Sequence, residues 1–263
     1  MNQQPSSRPK IYGAHNDPIR IVPLRVLDAA GRPAVAPAVP PHLVYRNGPL
    51  ISKVEVFTMF WGSAWQQPAS ATIVHRVNDF FDYILTSALM DQLAEYSVPA
   101  YSIGHGQRTG SINITTPALG HSISDGAIQH MLQQEISTNS AIRQPGSNTL
   151  YFVFLPSGVR VVQGGSASCQ AFCGYHNDIS GEIFYSVMPF PDCAGCSSNL
   201  STFEALTTTS SHELSEAITD PIPGRGWYDD VHGEIGDICA WQTKTIGSYT
   251  VQLEWSNKAN ACV

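Results

Sequence analysis

From residue 54 to 61 the chain reads Val-Glu-Val-Phe-Thr-Met-Phe-Trp, an apolar run rich in β-formers that predicts a buried strand. Between 77 and 96 the period changes. Phe80, Phe81, Ile84, Leu85, Ala88, Leu89 and Leu93 recur at three- and four-residue steps, the stripe of a long amphipathic helix packed on a sheet. A short strand is expected at 111–115, and 125–136 repeats the helical pattern through Ile128, Met131, Leu132 and Ile136. Residues 149–155 are the clearest strand, and 182–188 are another.

Ser201-Thr202-Phe203-Glu204 is a capping box, in which the serine hydroxyl and the glutamate each satisfy a free helix N–H. The helix it opens carries Phe203, Leu206, Ser210, Leu214 and Ala217 along one face. It should end at Asp220, because Pro221 disfavours helical backbone in the residue before it. Beyond lies Gly- and Trp-rich loop with a last strand at 249–255. Alternating β and α elements imply an α/β fold with a mostly parallel sheet and helices packed on it. The chain divides into a proline-rich arm (1–50), an α/β domain ending in the capped helix (51–220) and a loop-rich C-terminal part (221–263).

Composition narrows the function. Charged residues are 13% of the chain, against about 25% in ordinary domains, so the surface is one of hydroxyls and amides. A net charge of -7 without Lys/Arg clusters excludes nucleic acid as a partner. No apolar run approaches the roughly 20 residues that span a bilayer, so no membrane partner is expected. The polar stretch 1–10 has no apolar leader core. The six cysteines, Cys169, Cys173, Cys193, Cys196, Cys239 and Cys262, favour disulfides and an extracellular setting. The spacings Cys169-x3-Cys173 and Cys193-x2-Cys196 also suit a structural zinc site.

The chemistry concentrates at His212-Glu213-Leu214-Ser215-Glu216. His212 and Glu216 are four apart on the capped helix, so both face one side and can share an ion. The pattern is the helical H-E-x-x-H of zinc proteases with Glu in place of the second His. Zn²⁺ accepts carboxylate oxygen readily, and the extra carboxylate makes calcium or manganese less remote alternatives. The small residues at 207–211 are expected to leave the His212 face open. Glu213 sits beside the ligands as the general base. A third ligand must come from chain that has turned back after Pro221, because Asp220 lies about 6 Å further along the helix axis than Glu216. Glu234 is the expected ligand, Asp237 the residue orienting His212, and Asp229 the reserve ligand. His176 and the oxyanion donor Tyr228 are further candidates. His105 falls in a Gly-His-Gly turn, and the absence of G-x-S-x-G argues against a serine hydrolase.

The run Thr209-Ser210-Ser211-His212-Glu213-Leu214-Ser215-Glu216-Ala217-Ile218-Thr219-Asp220-Pro221 resembles a group of bacterial and fungal secreted zinc peptidases, distantly related to the plant phosphate-induced (exordium-like) proteins. Gly226-Trp227-Tyr228-Asp229, Glu234-Ile235-Gly236-Asp237-Ile238-Cys239, Phe172-Cys173-Gly174-Tyr175-His176 and Phe60-Trp61-Gly62 extend the likeness over about residues 50–262. The resemblance implies export. Together with the element order, the motif leads to a zincin-like α/β domain, its sheet backed by one helix and carrying an active-site helix, followed by an irregular disulfide-bonded part. The expected activity is hydrolysis of peptide bonds in a peptide or protein substrate by a zinc-activated water. The alternative is a non-catalytic extracellular binding or structural protein in which a metal only ties the helix to the tail.

Overall fold

The computed structural model describes residues 11–12, 18–19, 21–25 and 39–263. Its centre is a six-stranded sheet. The strands are β1 (Ile21–Pro23), β2 (Glu55–Trp61), β3 (Gln107–Ile114), β4 (Thr149–Phe154), β5 (Phe172–Ile179) and β6 (Ile183–Met188), in the order β1-β5-β6-β4-β2-β3. The pairs β3/β2, β2/β4 and β4/β6 are parallel, while β6/β5 and β5/β1 are antiparallel. The expectation of a mostly parallel sheet holds.

All six residues of β4 are buried, which is why they show no polar alternation: both faces of the sheet are covered. On one face Phe60, Phe152, Phe154, Phe184 and Met188 pack with residues of α1 (Pro68–Ile84), α2 (Ala88–Leu93) and α4 (Thr202–Thr219). On the other, Phe57, Met59, Tyr151, Val153 and Val187 pack with Ile128, Met131 and Leu132 of α3 (Asp125–Thr138).

Two elements differ from the sequence reading. The helix expected over 77–96 starts at Pro68, whose missing N–H costs nothing in a first turn. It stops at Ile84, and Ser87 caps a separate helix, α2, by accepting from Leu89 N. The stretch 172–179, where no strand was expected, is the fully buried strand β5. Burial on both faces removes the alternation that marks a strand, and Gly174, His176, Asn177 and Asp178 make the run look polar.

The capping box is present, and α4 ends at Asp220 as expected. Asp220 then holds the turn that follows, its carboxylate accepting from the backbone N–H groups of Gly224, Arg225 and Gly226. The C-terminal part shares the main core through Ile235, Cys239, Val251 and Trp255. Trp227–Tyr228 pairs with Val44–Tyr45, and a hairpin joins β7 (Thr243–Ile246) to β8 (Tyr249–Gln252). Of the expected N-terminal arm, Ile21–Pro23 forms the sheet strand β1, and most of the rest lies outside the described residues. Disulfides join Cys169 to Cys193, Cys173 to Cys196 and Cys239 to Cys262, so no cysteine is left to bind zinc. Among the described residues no helix is long and apolar enough to cross a membrane.

Candidate metal centre

Helix α4 is buried almost from end to end, clasped between β5 and β6, the β7/β8 hairpin and the short helix α5 (Ile235–Ile238). The small residues Thr207, Thr208, Thr209, Ser210 and Ser211 do not leave the His212 face open, as the sequence reading had it. They let neighbouring elements close on the helix, and all five are buried. Two glycines permit the closest approaches. A Cβ on Gly174 of β5 would lie 2.7 Å from Thr209 Cγ2 and 3.2 Å from Glu213 Oε1. A Cβ on Gly236 of α5 would lie 2.8 Å from the His212 ring.

Around this contact stand His176, His212, Glu213, Glu216, Asp220, Glu234 and Glu254, each 0% exposed, with Asp237 at 6%. The isolated burial of one ionised carboxylate costs several kcal/mol, so this many acids need cations or protons among them. His212 Nδ1 donates to Gln252 Oε1 at 3.1 Å. The amide is fixed in that sense because its oxygen also accepts from Trp241 N while its Nε2 donates to the Gly236 carbonyl. The other imidazole nitrogen, Nε2, therefore carries a lone pair if the ring is neutral. It lies 2.8 Å from Glu216 Oε1, without the alignment of a hydrogen bond. Two acceptors so placed require a proton or a metal cation between them; burial lowers the His212 pKa, but Glu216 and Glu213 outweigh it and hold it well above the usual value.

His176 repeats the situation. Its Nδ1 faces Glu213 Oε2 at 3.2 Å and Glu216 Oε2 at 3.5 Å. Its Nε2 faces the Asp220 carbonyl at 3.1 Å and Glu234 Oε1 at 3.5 Å. A neutral imidazole has one N–H, so one of these two sides lacks a proton. Burial presses the His176 imidazolium toward the neutral form, but Glu213 and Glu216 outweigh it and carry its pKa up to about 10. Burial raises Glu216, yet His212 and His176 overcome this and bring it down to about 2. Glu234 is pushed well above the carboxylate range by burial and then by Glu216, Asp220 and Asp237. Burial likewise raises Glu213 and Glu254, and lifts Asp220 to about 6. The field that favours an imidazolium proton favours a metal cation in its place.

The donor set fits a divalent ion. His212 Nε2, Glu216 Oε2 and both oxygens of Glu234 are buried with no hydrogen-bond partner. Donor atoms within 4.8 Å of one another form two sets, His212/Glu216/Asp237 and His176/Glu216/Glu234. The sequence reading joined Glu234 to His212 and gave Asp237 the task of orienting that ring. The structure groups Asp237 with His212, and the residue at His212 Nδ1 is Gln252. Asp237 also accepts from Glu234 N at 3.2 Å.

The remaining candidates lie in other surroundings. Asp229 accepts from His42 N, Val231 N, His232 N and His232 Nδ1, which occupy the lone pairs a reserve ligand would offer. Tyr228 is buried beside Arg46, whose guanidinium carbon is 4.4 Å from the ring centre. His105 is exposed and pairs with Asp91 at 2.9 Å. Gln252 and Glu254 went unremarked in the sequence. Their signal was the two-residue step along the expected strand 249–255, which puts both on one face. No family model matches the chain, and no curated protein matches it.

Proposed function

We propose that this chain is a metal-dependent hydrolase of peptide bonds, with zinc the first choice of ion. One observation carries the reading: His212 Nε2 and Glu216 Oε1, fixed by Gln252 and by the Asp237 N–H, meet at 2.8 Å in a buried cluster of carboxylates, where one cation joins them. His212, Glu216 and Asp237 would hold the ion. When bound, such an ion polarises a carbonyl and acidifies water near neutral pH.

The chain's own groups supply the proton transfers. Glu213 Oε1 is a buried acceptor without a partner, while Oε2 is held by His176 Nδ1. Glu213 takes one proton from the attacking water as its oxygen bonds to the scissile carbon. It returns that proton to the amine nitrogen as the C–N bond breaks, and the second water proton passes from the new carboxylic acid to the amine, leaving a carboxylate and an ammonium product. The preference for peptide rests on the likeness of the run 209–221 to zinc peptidases. Three disulfides and the sequence resemblance support an extracellular setting.

A second reading, a closed structural metal site, is favoured by the complete burial of His176, His212, Glu216 and Glu234. Incubating the zinc-loaded full chain with a peptide library separates the two. The hydrolase reading expects new amino termini that disappear on chelation and return with Zn²⁺. Metal-stabilised protein that cleaves nothing in the library supports the structural reading.

A further inference from the structure

The two histidines make the same demand at opposite oxygens of one carboxylate. His212 Nε2 lies 2.8 Å from Glu216 Oε1, and His176 Nδ1 lies 3.5 Å from Glu216 Oε2. Each imidazole faces oxygen acceptors with both of its nitrogens, and each in its neutral form has one N–H to give. The cluster therefore takes up two cationic charges, as protons on the two rings or as metal ions in their place.

Neither donor group contains both imidazoles. Zn–N bonds of about 2.0–2.1 Å require two ligating nitrogens to lie within about 4.2 Å of each other. The donors instead fall into two sets, each closed within 4.8 Å, with one imidazole apiece and Glu216 common to both. Four of the unpaired atoms fall in these sets, while Glu213 Oε1 and both Glu254 oxygens fall in neither. His212 Nε2 belongs to the first set, Glu216 Oε2 and the two Glu234 oxygens to the second. We infer that the centre binds two divalent ions bridged by Glu216. One is held by His212, Glu216 Oε1 and Asp237, the other by His176, Glu216 Oε2 and Glu234.

Charge favours the pair. Glu213, Glu216, Glu234, Asp237, Asp220 and Glu254 are all buried, and the basic side chains that face them in this cluster are the two histidines. A single divalent ion leaves most of that negative charge to be neutralised by protons, whereas a second removes two further charges from the deficit. A carboxylate bridge between two ions a few ångströms apart is a common arrangement in hydrolytic enzymes, where both ions act on one substrate.

This inference rests on the proposed metal centre and deepens it, and metal counting tests it independently of catalysis. Full-length apoprotein is titrated with ZnSO₄, dialysed against metal-free buffer and analysed for zinc by elemental mass spectrometry. In parallel, Mn²⁺-loaded protein is examined by electron paramagnetic resonance. Two equivalents of zinc are expected, with an exchange-coupled manganese signal. His176→Asn is expected to reduce the count to one and to leave an uncoupled six-line spectrum. Saturation at one equivalent, or two manganese ions without coupling, overturns the bridged pair. One equivalent with peptide cleavage intact overturns it while leaving the hydrolase reading standing. Two coupled ions without cleavage support it and count against the hydrolase. The wild-type count decides the matter even if the variant does not fold.

Discussion

His176 and Glu213 are 37 residues apart in sequence, yet His176 Nδ1 lies 3.2 Å from Glu213 Oε2 inside the protein. The contact forms because β5 lays its Gly174-His176 face on α4, and Gly174 has no side chain to hold the helix off. It fixes one glutamate oxygen and leaves the other without a partner. Glu213→Gln keeps the shape and removes the base. Metal content is expected to be unchanged, while peptide cleavage falls by at least about a hundredfold, the lower end of what a general base contributes. Equal turnover in the two proteins removes Glu213 from the mechanism.

Gln252 orients His212 from behind. Its oxygen accepts the Nδ1–H, its amide nitrogen bonds the Gly236 carbonyl, and its backbone N–H is tied to Ser211 Oγ. Gln252→Leu preserves volume and frees the ring to rotate or change tautomer. Zinc affinity is expected to drop about 10–100-fold, as for other partners behind a metal-bound histidine. Competition with a chromophoric chelator measures it. An unchanged Kd in a folded variant means that Gln252 does not orient the ligand.

Gly236 tests the packing beneath the same ring. An added methyl would sit 2.8 Å from the imidazole in a region with no room, so either α5 or His212 must move. Gly236→Ala is expected to cost about 1–3 kcal/mol, the usual range for overpacking, and to weaken metal binding together with stability. Denaturant unfolding with and without zinc reads both effects. A variant as stable and as metal-avid as the parent shows that the ring is not wedged.

The three disulfides join cysteines 23 or 24 residues apart. Alkylation of unfolded protein without reductant is expected to label no thiol, and six labelled thiols contradict the pairing. Cys239–Cys262 closes the tail over α5, which carries Asp237. Replacing both by Ala should destabilise the fold by about 3 kcal/mol, the chain-entropy effect for a loop of this length. The denaturant midpoint of the double variant checks it.

The sequence announces the parts of this centre that are local. The capping box, the i,i+4 pair of His212 and Glu216, and the stop before Pro221 follow from rules that act within a turn or two of helix. The third and fourth contributors are tertiary. His176 arrives on a strand whose burial on both faces erased its periodicity, and Gln252 arrives on a hairpin that folds back over α4. The bend after Asp220 was legible from Pro221 and the glycines. Which acid it would bring to which histidine was not, because Glu234 and Asp237 are only three residues apart and the short helix α5 decides between them. The polar surroundings of His176 misled in the same way. Asn177 and Asp178 look like loop chemistry, but both are buried, and Asp178 accepts from Gly181 N to close the turn into β6.

Metal removal should show how much of the fold depends on the centre. Glu213, Glu216, Asp220, Glu234, Asp237 and Glu254 are buried within one cluster whose basic members are His176 and His212. With metal absent, the cluster is compensated by protons on groups such as Glu234 and Glu254, whose burial already drives them toward the neutral form. A bound ion replaces those protons with stronger, directional bonds to the unpaired oxygens. Because the ion binds the folded chain, its free concentration sets the gain: about 2.7 kcal/mol when it stands at a hundredfold over Kd. For a chain of this size that corresponds to a rise in Tm of roughly 5–10 °C. Exhaustive chelation should therefore lower Tm by that amount, and added Zn²⁺ should restore it. The Glu216→Gln variant should melt at the same temperature with or without zinc, since it lacks the carboxylate common to both donor sets. If chelator and zinc leave the wild-type Tm unmoved, protons alone hold the cluster together and the centre is not a metal site.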